Sequence, residues 1–511
     1  MSTAAAFKTP KRRFEVDPVL RTASLVAAVV FGGLYLTLQR DFGPGAFYLP
    51  WKGYIIWLLG LLPGVAYLHK RERRLESVEP IPLMPIIMAI YALYFGLPVM
   101  LSDQVIGMGI QPPTPALEYA VELSILGMVC LLFSFYVLSP KLALGRPLDL
   151  NWDPDRARYL AILGIPFGLA LRFALRFEWV PGPLIQPAVL LSMLFQVSVG
   201  ILIVLSRKGL LDKRATQLVW GGLVPLFFLV EISEGAIGSA ARLIAFFVML
   251  ILGTGGRINM PLVAVGAAVI LVLRGGAMEF RDLANNSPHL LSEDPFERAL
   301  QFFEISFHAL TDDGGDKSQE IVSDRIAQVA VMGHVVDKSP IAVDYWGGAT
   351  YLTLPGTFIP RVIWPDKPVK DLGQRFGHRY AILDPEDYTT SINFPQVVEL
   401  YANFGGLGVG LGMVLFGLFF RWISNLLNTG RGGDGAVVVG AAVFSPLLNI
   451  ESDASLVLGA ALQTTIVLYG VMRFCRPSSF RNRRLTPKRQ PSLVATHPNL
   501  SGLPPTAPRR A

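Results

Sequence analysis

Charge is what this chain has least of. Asp, Glu, Lys and Arg make up 16% of its 511 residues, against roughly a quarter in an average soluble domain. Hydrophobic residues reach 52% and mean hydropathy is +0.46, so neither a string of soluble domains nor a disordered chain fits. Cysteine is almost missing: Cys130 lies inside an apolar run and Cys475 just after one. That excludes a disulfide framework and a cysteine-based metal site. A nucleotide-binding loop is lacking too. Gly406, Gly408, Gly410 and Gly412 follow no strand and sit in an apolar run, where small residues let helices approach closely. The net charge of +7 does not point to nucleic acid, because the basic residues form short clusters between apolar runs, the arrangement that orients spans in a bilayer.

What is present is a series of apolar windows long enough to cross about 30 Å of hydrocarbon. They fall near 20–38, 50–68, 81–102, 117–138, 158–175, 183–205, 217–233, 236–253 and 259–274, then 404–424, 435–450 and 454–474. The fold class expected is an all-α polytopic membrane protein of about twelve transmembrane helices, with the seventh and eighth able to form one broken hairpin. The basic cluster Lys8, Lys11, Arg12 and Arg13 precedes the first window without a small-residue cleavage site, so that window reads as a retained span. Loop charge gives an orientation. His69 to Arg74, then Lys141, Arg146, Arg156 and Arg158, then Arg207, Lys208, Lys213 and Arg214, then Arg257, and Arg431 all fall on one side, while 103–118 and 449–455 carry almost no Lys or Arg. By the positive-inside rule both termini are cytoplasmic.

The organisation expected is a cytoplasmic segment 1–19, a bundle of about nine spans over 20–274, and a large, partly helical extracytoplasmic loop over 275–403. A bundle of about three spans covers 404–474, and a basic tail over 475–511 reads as disordered and close to the inner lipid surface. Within the long loop, residues 296–307 have amphipathic helical spacing with a Phe-rich face, for the bilayer surface or for the loop's own core. A second helix is expected over 318–336, with Ile321, Val322, Ile326, Val329 and Ala330 on one side. The acidic run Asp312, Asp313 and Asp316 lacks the alternating ligands and terminal glutamate of a calcium loop, and reads as a solvated turn.

The chemistry-bearing groups gather at and beside that loop. Pro360, Pro365 and Pro368 stiffen the backbone around Arg361, Trp364 and Lys367. A guanidinium grips phosphate with two prongs and an ammonium acts as a point charge. Trp364 suits either a sugar face or the aromatic belt of the interface. Arg375, His378 and Arg379 follow, and this cationic density suits a phosphate-bearing ligand or, more blandly, a solvated basic face; Arg281 joins the cationic candidates. Glu399 opens the tenth window beside Tyr401 and Asn403; it is either a general base at the boundary or a helix-terminal charge opposed to the macrodipole. Within the spans, Glu231, Glu234 and Arg242 bracket a small-residue turn, as part of the site or as a locking ion pair. Arg172 and Arg176 read as snorkelling to headgroups.

Residues Pro360-Arg361, Ile363 to Pro368, Gly373, Phe376, Glu399 to Gly405 and Gly408 resemble the outer-loop signature of bacterial oligosaccharide repeat-unit polymerases, the Wzy-type O-antigen polymerases. The likeness covers about fifty residues, joined by a long late loop, span number and Gly238-Ser239 before Arg242. What the resemblance implies is a membrane glycosyltransferase of the inner membrane that joins repeat units carried on undecaprenyl diphosphate, building O-antigen, capsule or exopolysaccharide. Donor and acceptor would both be lipid-linked, with membrane lipids and a chain-length regulator and flippase as further partners, and no nucleic acid. Arg361, Lys367 and Arg242 would hold the diphosphate, with Arg281, Arg375, Trp364, Tyr401 and Asn403 around the substrate and Glu399 or His378 as base. No cofactor is expected, since no His/Asp/Glu spacing looks like a ligand set, although Asp366 and Asp384 can hold Mg²⁺ with phosphate oxygens. The alternatives are an O-antigen ligase with a lipid-core acceptor and a transporter or flippase for the same lipid.

Overall fold

The computed structural model describes residues 48–72, 79–101, 105–232, 237–256, 280, 283, 290, 294–311, 326–359, 364, 366, 371–388, 390–392, 394–429 and 432–477. Among them every regular element is helical, with one isolated bridge between Gly107 and Ile110. Seven helices among the described residues are long and apolar enough to cross a membrane: α1 (Leu49–Arg71), α2 (Leu83–Met100), α3 (Thr114–Leu142), α4 (Pro154–Arg176), α5 (Gly182–Arg207), α12 (Gln396–Leu427) and α14 (Ala454–Phe474). Two shorter apolar helices, α7 (Ile237–Gly253) and α13 (Gly433–Leu447), meet two further windows, and the window at 217–233 is helical as α6 (Lys213–Leu218, a π turn, then Val224–Ile232). The windows at 20–38 and 259–274 lie outside the described residues. π turns at Ala92–Gly96 and Ser134–Leu138 let α2 and α3 bend without breaking.

The helices alternate in direction, as contacts at their ends show. At one end Arg71 donates to the Gly256 carbonyl (3.1 Å), Lys208 pairs with Asp434, and Arg421 pairs with Glu79 at 2.6 Å. The Asn428 amide also donates to the Ile81 carbonyl (2.6 Å) there, and the Asp153 N–H to that of Cys475 (2.7 Å). Asp153 caps α4 in addition, accepting from the Asp155 N–H at 3.0 Å. This end collects the basic clusters. Burial pushes the Glu79 carboxyl up from its ordinary range, against the pull of Arg421.

At the opposite end Lys52 reaches Glu122 (2.7 Å), and the helices Gln328–Lys338 and Leu354–Phe358 pack onto the bundle. Of the helix expected over 318–336, residues 318–325 lie outside the described residues; Ile326 is helical, Ala327 interrupts the run, and α9 (Gln328–Lys338) covers the rest and ends slightly beyond, with Val329 and Ala330 fully buried as the pattern requires. A Cβ on its Gly333 would meet Pro112 and Leu117 of the α3 approach, so that close contact needs glycine. The amphipathic stretch is α8 (Pro295–Thr311). It buries Phe302 against Phe280, with ring centroids 5.0 Å apart, and leaves Phe307 exposed.

The tenth apolar window, 404–424, is helical beyond Gly405, but the helix that leads into it turns sharply at the window's start. α12 is two helices joined at Gly405, whose φ of 66° and ψ of −157° belong to glycine alone. The first part, through Phe404, folds back along the second. A Cβ on Gly412 would overlap the Leu400 side chain, and one on Gly408 would lie 2.6 Å from the Leu400 carbonyl oxygen. Val397, Val409 and Met413 all meet Gly127 of α3, which an uninterrupted helix could not arrange. The glycines here serve close approach as expected: Gly406 and Gly410 face Tyr119, Leu123 and Leu126 of α3, whereas Gly408 and Gly412 admit the folded-back part of α12 itself.

Arg172 departs from expectation as well. It does not snorkel: it pairs with Glu231 of α6, its guanidinium 5.5 Å from the ring centres of both Phe195 and Phe227. Of the two acids expected around Arg242, Glu231 is thus paired with another helix. Cys475, at the end of α14, is buried and its thiol is pushed up to about 11 by that burial.

Candidate active site

The fold-back places Glu399 about 9 Å along its helix from the reversal at Gly405, with no exposed surface. Its two oxygens are held separately. Oε1 accepts from the Thr350 hydroxyl (2.6 Å) and Oε2 from the Ala454 N–H at the start of α14 (2.7 Å). No cation lies within ion-pair distance of it among the described residues. Asn403, one turn on, organises the same cluster: its amide donates to Thr350 Oγ1 (2.9 Å) and to the Glu399 carbonyl (2.8 Å), while its Oδ1 accepts from the Gly348 N–H (2.9 Å).

The loop that delivers Thr350 is stitched to the helix by its backbone. Trp346 N–H donates to the Ala402 carbonyl and Gly347 N–H to that of Asn403. Gly347 and Gly348 both have positive φ, 58° and 92°, so the tight turn requires glycine at both. The N-terminus of the folded-back helix is anchored by Gln396, which accepts from the Tyr91 hydroxyl (3.0 Å) and donates to the Ser452 carbonyl (2.9 Å). Asp453 caps α14 through the N–H groups of Ser455 and Leu456.

An apolar groove of about 740 Å³ begins beside this cluster and runs along the second half of α12, facing α14. Tyr351 and Ala454 form its head, and Leu411, Leu415, Phe419 and Leu458 its length. The Tyr351 ring lies parallel to Phe404, centroids 6.2 Å apart, and its buried hydroxyl has no hydrogen-bond partner among the described residues. Burial first, and then the carboxylates of Glu399 and Asp453, push that hydroxyl above its ordinary range, so it stays protonated.

A cationic group stacks on Trp346, at the start of the Gly347-Gly348 turn. α11 (Leu372–Arg379) carries Arg375 and Arg379 one turn apart, and both guanidiniums sit over the Trp346 ring, at 5.3 and 4.7 Å. Such stacking holds a cation in place while leaving its N–H groups available. Arg379 donates one of them to the Asp344 carbonyl (2.7 Å). Between them His378 is half-buried and leans on Tyr388; its Nε2 is buried without a partner among the described residues.

Of the residues singled out in the sequence, the structure gathers Glu399 and Asn403 into one hydrogen-bonded cluster and links Arg375 to it through Trp346, while His378 leans on Tyr388. Tyr401 is buried, its hydroxyl donating to the Ser339 carbonyl (3.2 Å) and its ring edge-on to Tyr345 and Tyr119. Trp364 is 40% exposed and Arg242 is exposed on α7. Arg361, Lys367 and Arg281 lie outside the described residues, as does Glu234. Among the described residues no group of three or more His, Cys, Asp or Glu side chains is placed to hold a metal ion. Sequence reading missed Thr350 and Tyr351. The signal available was the Gly347-Gly348 pair just before them, which marks a backbone that turns tightly against something.

Residues 175–452 match the model of a family described as a domain of unknown function, DUF8712. No curated protein and no solved structure matches the chain.

Proposed function

We propose, for a chain that belongs to the family DUF8712, a domain of unknown function, the role of a membrane glycosyltransferase that polymerises oligosaccharide repeat units carried on undecaprenyl diphosphate. The observation that carries the reading is Glu399: a carboxylate with no exposed surface, held at both oxygens, in a helix folded back beside a membrane span. An isolated carboxylate there is costly, and its place between a polar loop and an apolar groove suits a base for a lipid-linked substrate.

In the reaction, the hydroxyl oxygen of the acceptor sugar attacks the anomeric carbon of the donor. The new carbon–oxygen bond forms as the bond from that carbon to the diphosphate oxygen breaks. The hydroxyl proton passes to Glu399, and the bonding electrons leave with the lipid diphosphate. Arg375 and Arg379, fixed over Trp346, stabilise the charge that develops on the departing group, together with Arg361, Lys367, Arg281 and Arg242. Asn403 and Thr350 hold the Glu399 carboxylate in place. The bundle has about twelve spans, with the loop over 275–403 outside the inner membrane and both termini in the cytoplasm. Donor and acceptor are lipid-linked repeat units, and a flippase that delivers them and a regulator of chain length act beside it.

The test is chain extension by the purified protein given lipid-linked repeat units. Glu399→Gln is expected to slow extension by about 10²- to 10⁴-fold, the range for losing a general base, and Arg375→Ala to slow it with less effect on substrate binding. Wild-type rates in both variants refute the assignment. In cells, loss of the chain is expected to leave single repeat units on the surface lipid; a ligase, which differs in its acceptor, leaves none.

A further inference from the structure

We infer that the groove along the second half of α12 seats the polyprenyl tail of the lipid-linked substrate and so delivers its polar end to the Glu399 cluster. The inference rests on the function proposed above, and three features of the groove carry it. The first is polarity. Apart from Tyr351 its lining side chains are all apolar, and Tyr351, at its head, carries a hydroxyl that is buried and unpartnered among the described residues. A cavity polar at one end only suits a ligand that is polar at one end only.

The second is depth and access. Leu407 to Phe419 covers about 18 Å of helix, more than half of the roughly 30 Å of hydrocarbon. Leu407, Leu411 and Leu415 are 82%, 70% and 67% exposed, so one side of the groove is open along a candidate span. A chain can slide in sideways from the bilayer without its head leaving the interface. The volume of about 740 Å³ is that of a formed ligand pocket, typically about 300–1,000 Å³, and the groove is shorter than the bilayer. The head-proximal part of a long tail is therefore held while the remainder stays in lipid.

The third is continuity with the site. Ala454 lines the groove, and its own N–H is the donor that fixes Glu399 Oε2 at 2.7 Å. Leu400 and Phe404 follow Glu399 in the folded-back helix and also line the groove. An occupant seated here presents its first polar atoms where the proposed base is held. A phospholipid of the surrounding bilayer would put two acyl chains against a single groove and bring no reacting carbon to its head.

The test uses the full chain in nanodiscs and a polyprenyl diphosphate bearing a diazirine in its first few isoprene units. Photo-crosslinks are expected on the peptides carrying Leu411, Leu415 and Leu458. Unlabelled polyprenyl diphosphate is expected to compete them away, and phosphatidylglycerol at the same concentration is not. Leu411→Trp, at a position already exposed, fills the groove and is expected to lower crosslinking at least tenfold. Ile466→Trp, equally lipid-facing on α14 but outside the groove, is expected to leave it unchanged. Equal competition by phosphatidylglycerol, crosslinks confined to other helices, or no effect of Leu411→Trp overturns the inference. Crosslinking in the groove without chain extension sinks the polymerase reading instead; extension with no crosslink there sinks the groove alone.

Discussion

If α12 were one straight helix, Leu400 and Gly412 would lie about 18 Å apart, twelve residues at 1.5 Å each. In the folded-back form their side-chain positions overlap. A disulfide needs Cα atoms within about 7 Å, so the pair Leu400→Cys and Gly412→Cys separates the two geometries. With Cys130 and Cys475 replaced by serine, mild oxidation is expected to join the two cysteines within one chain, read as protection from maleimide and as a linked peptide by mass spectrometry. The reversal has its own energetic signature. An alanine at Gly405 pays about 1–3 kcal/mol for backbone strain. Its Cβ would also sit 2.8 Å from the Tyr345 hydroxyl oxygen, an overpacking of about 1–3 kcal/mol more. Gly405→Ala is thus expected to destabilise by about 2–6 kcal/mol in a denaturant titration, and Tyr345→Phe in the same chain to recover only the overpacking part. No crosslink, together with a Gly405→Ala variant as stable as wild type, would refute the fold-back and with it the burial of Glu399.

Asn403→Ala strips three hydrogen bonds and leaves the Gly348 N–H unpaired; at about 1–3 kcal/mol for the orphaned group, unfolding in denaturant is expected to shift by at least that much, and an unchanged midpoint refutes the cluster. Thr350→Ala is expected to couple to it, with a double-mutant cycle giving about 0.5–3 kcal/mol of interaction; strict additivity would mean the Asn403 amide and the Thr350 hydroxyl are not bonded to each other. Arg172→Ala leaves Glu231 buried without its cation and is expected to cost about 3 kcal/mol, whereas Arg172→Met with Glu231→Gln costs less; the reverse order refutes the pairing. Cys475, with its thiol near 11 in place of an ordinary value near 8.5, is expected to react with iodoacetamide at pH 8 about a hundredfold more slowly in the native protein than after denaturation. Equal rates would show that it is not buried.

How much of this was legible in the residues depends on whether the deciding signal was local. Spans were legible, because a run such as 183–205 needs only its own hydropathy, and the helix there covers it fully. So was the amphipathic α8, whose spacing is internal to the segment. The fold-back at Gly405 was not. The run from Glu399 through Phe404 into Gly406 and beyond reads as one boundary leading into one span, and a glycine in a membrane helix usually signals packing against a neighbour. Only the ψ of −157° and the overlap of Leu400 with Gly412 distinguish a reversal, and neither leaves a mark in hydropathy. Arg172 and Glu231 lie 59 positions apart, so their pairing belongs to the packing of α4 against α6. The four-residue spacing of Arg375 and Arg379 was visible, but the Trp346 ring that fixes them comes from another loop.

Non-local placement also decides how the site should be read. Glu399 would be an ordinary helix-terminal charge if its helix pointed into solvent, offsetting the macrodipole and little else. Folding back removes that solvent and sets Thr350 and the α14 N-terminus against its two oxygens. A carboxylate so held cannot swing to a new partner at little cost, because each oxygen would leave a buried donor unpaired. It is consequently fixed in position whatever its role, and a fixed group beside a groove is able to act on only one narrow region of space. The cations stack on Trp346, at the start of the turn that delivers Thr350, and the backbone bonds of Trp346 and Gly347 tie that turn to α12. A ligand that engages both the cations and Glu399 must have its anionic part and its reactive hydroxyl separated by the length of that turn. Glu399→Asp tests this constraint more sharply than removal of the acid does. The shorter side chain retains the charge but withdraws it by one methylene, so at least one of the two donors loses its partner. Chain extension is then expected to fall nearly as far as in Glu399→Gln, while the protein remains folded. Near-normal extension by Glu399→Asp would mean that position matters little there and that the charge alone suffices.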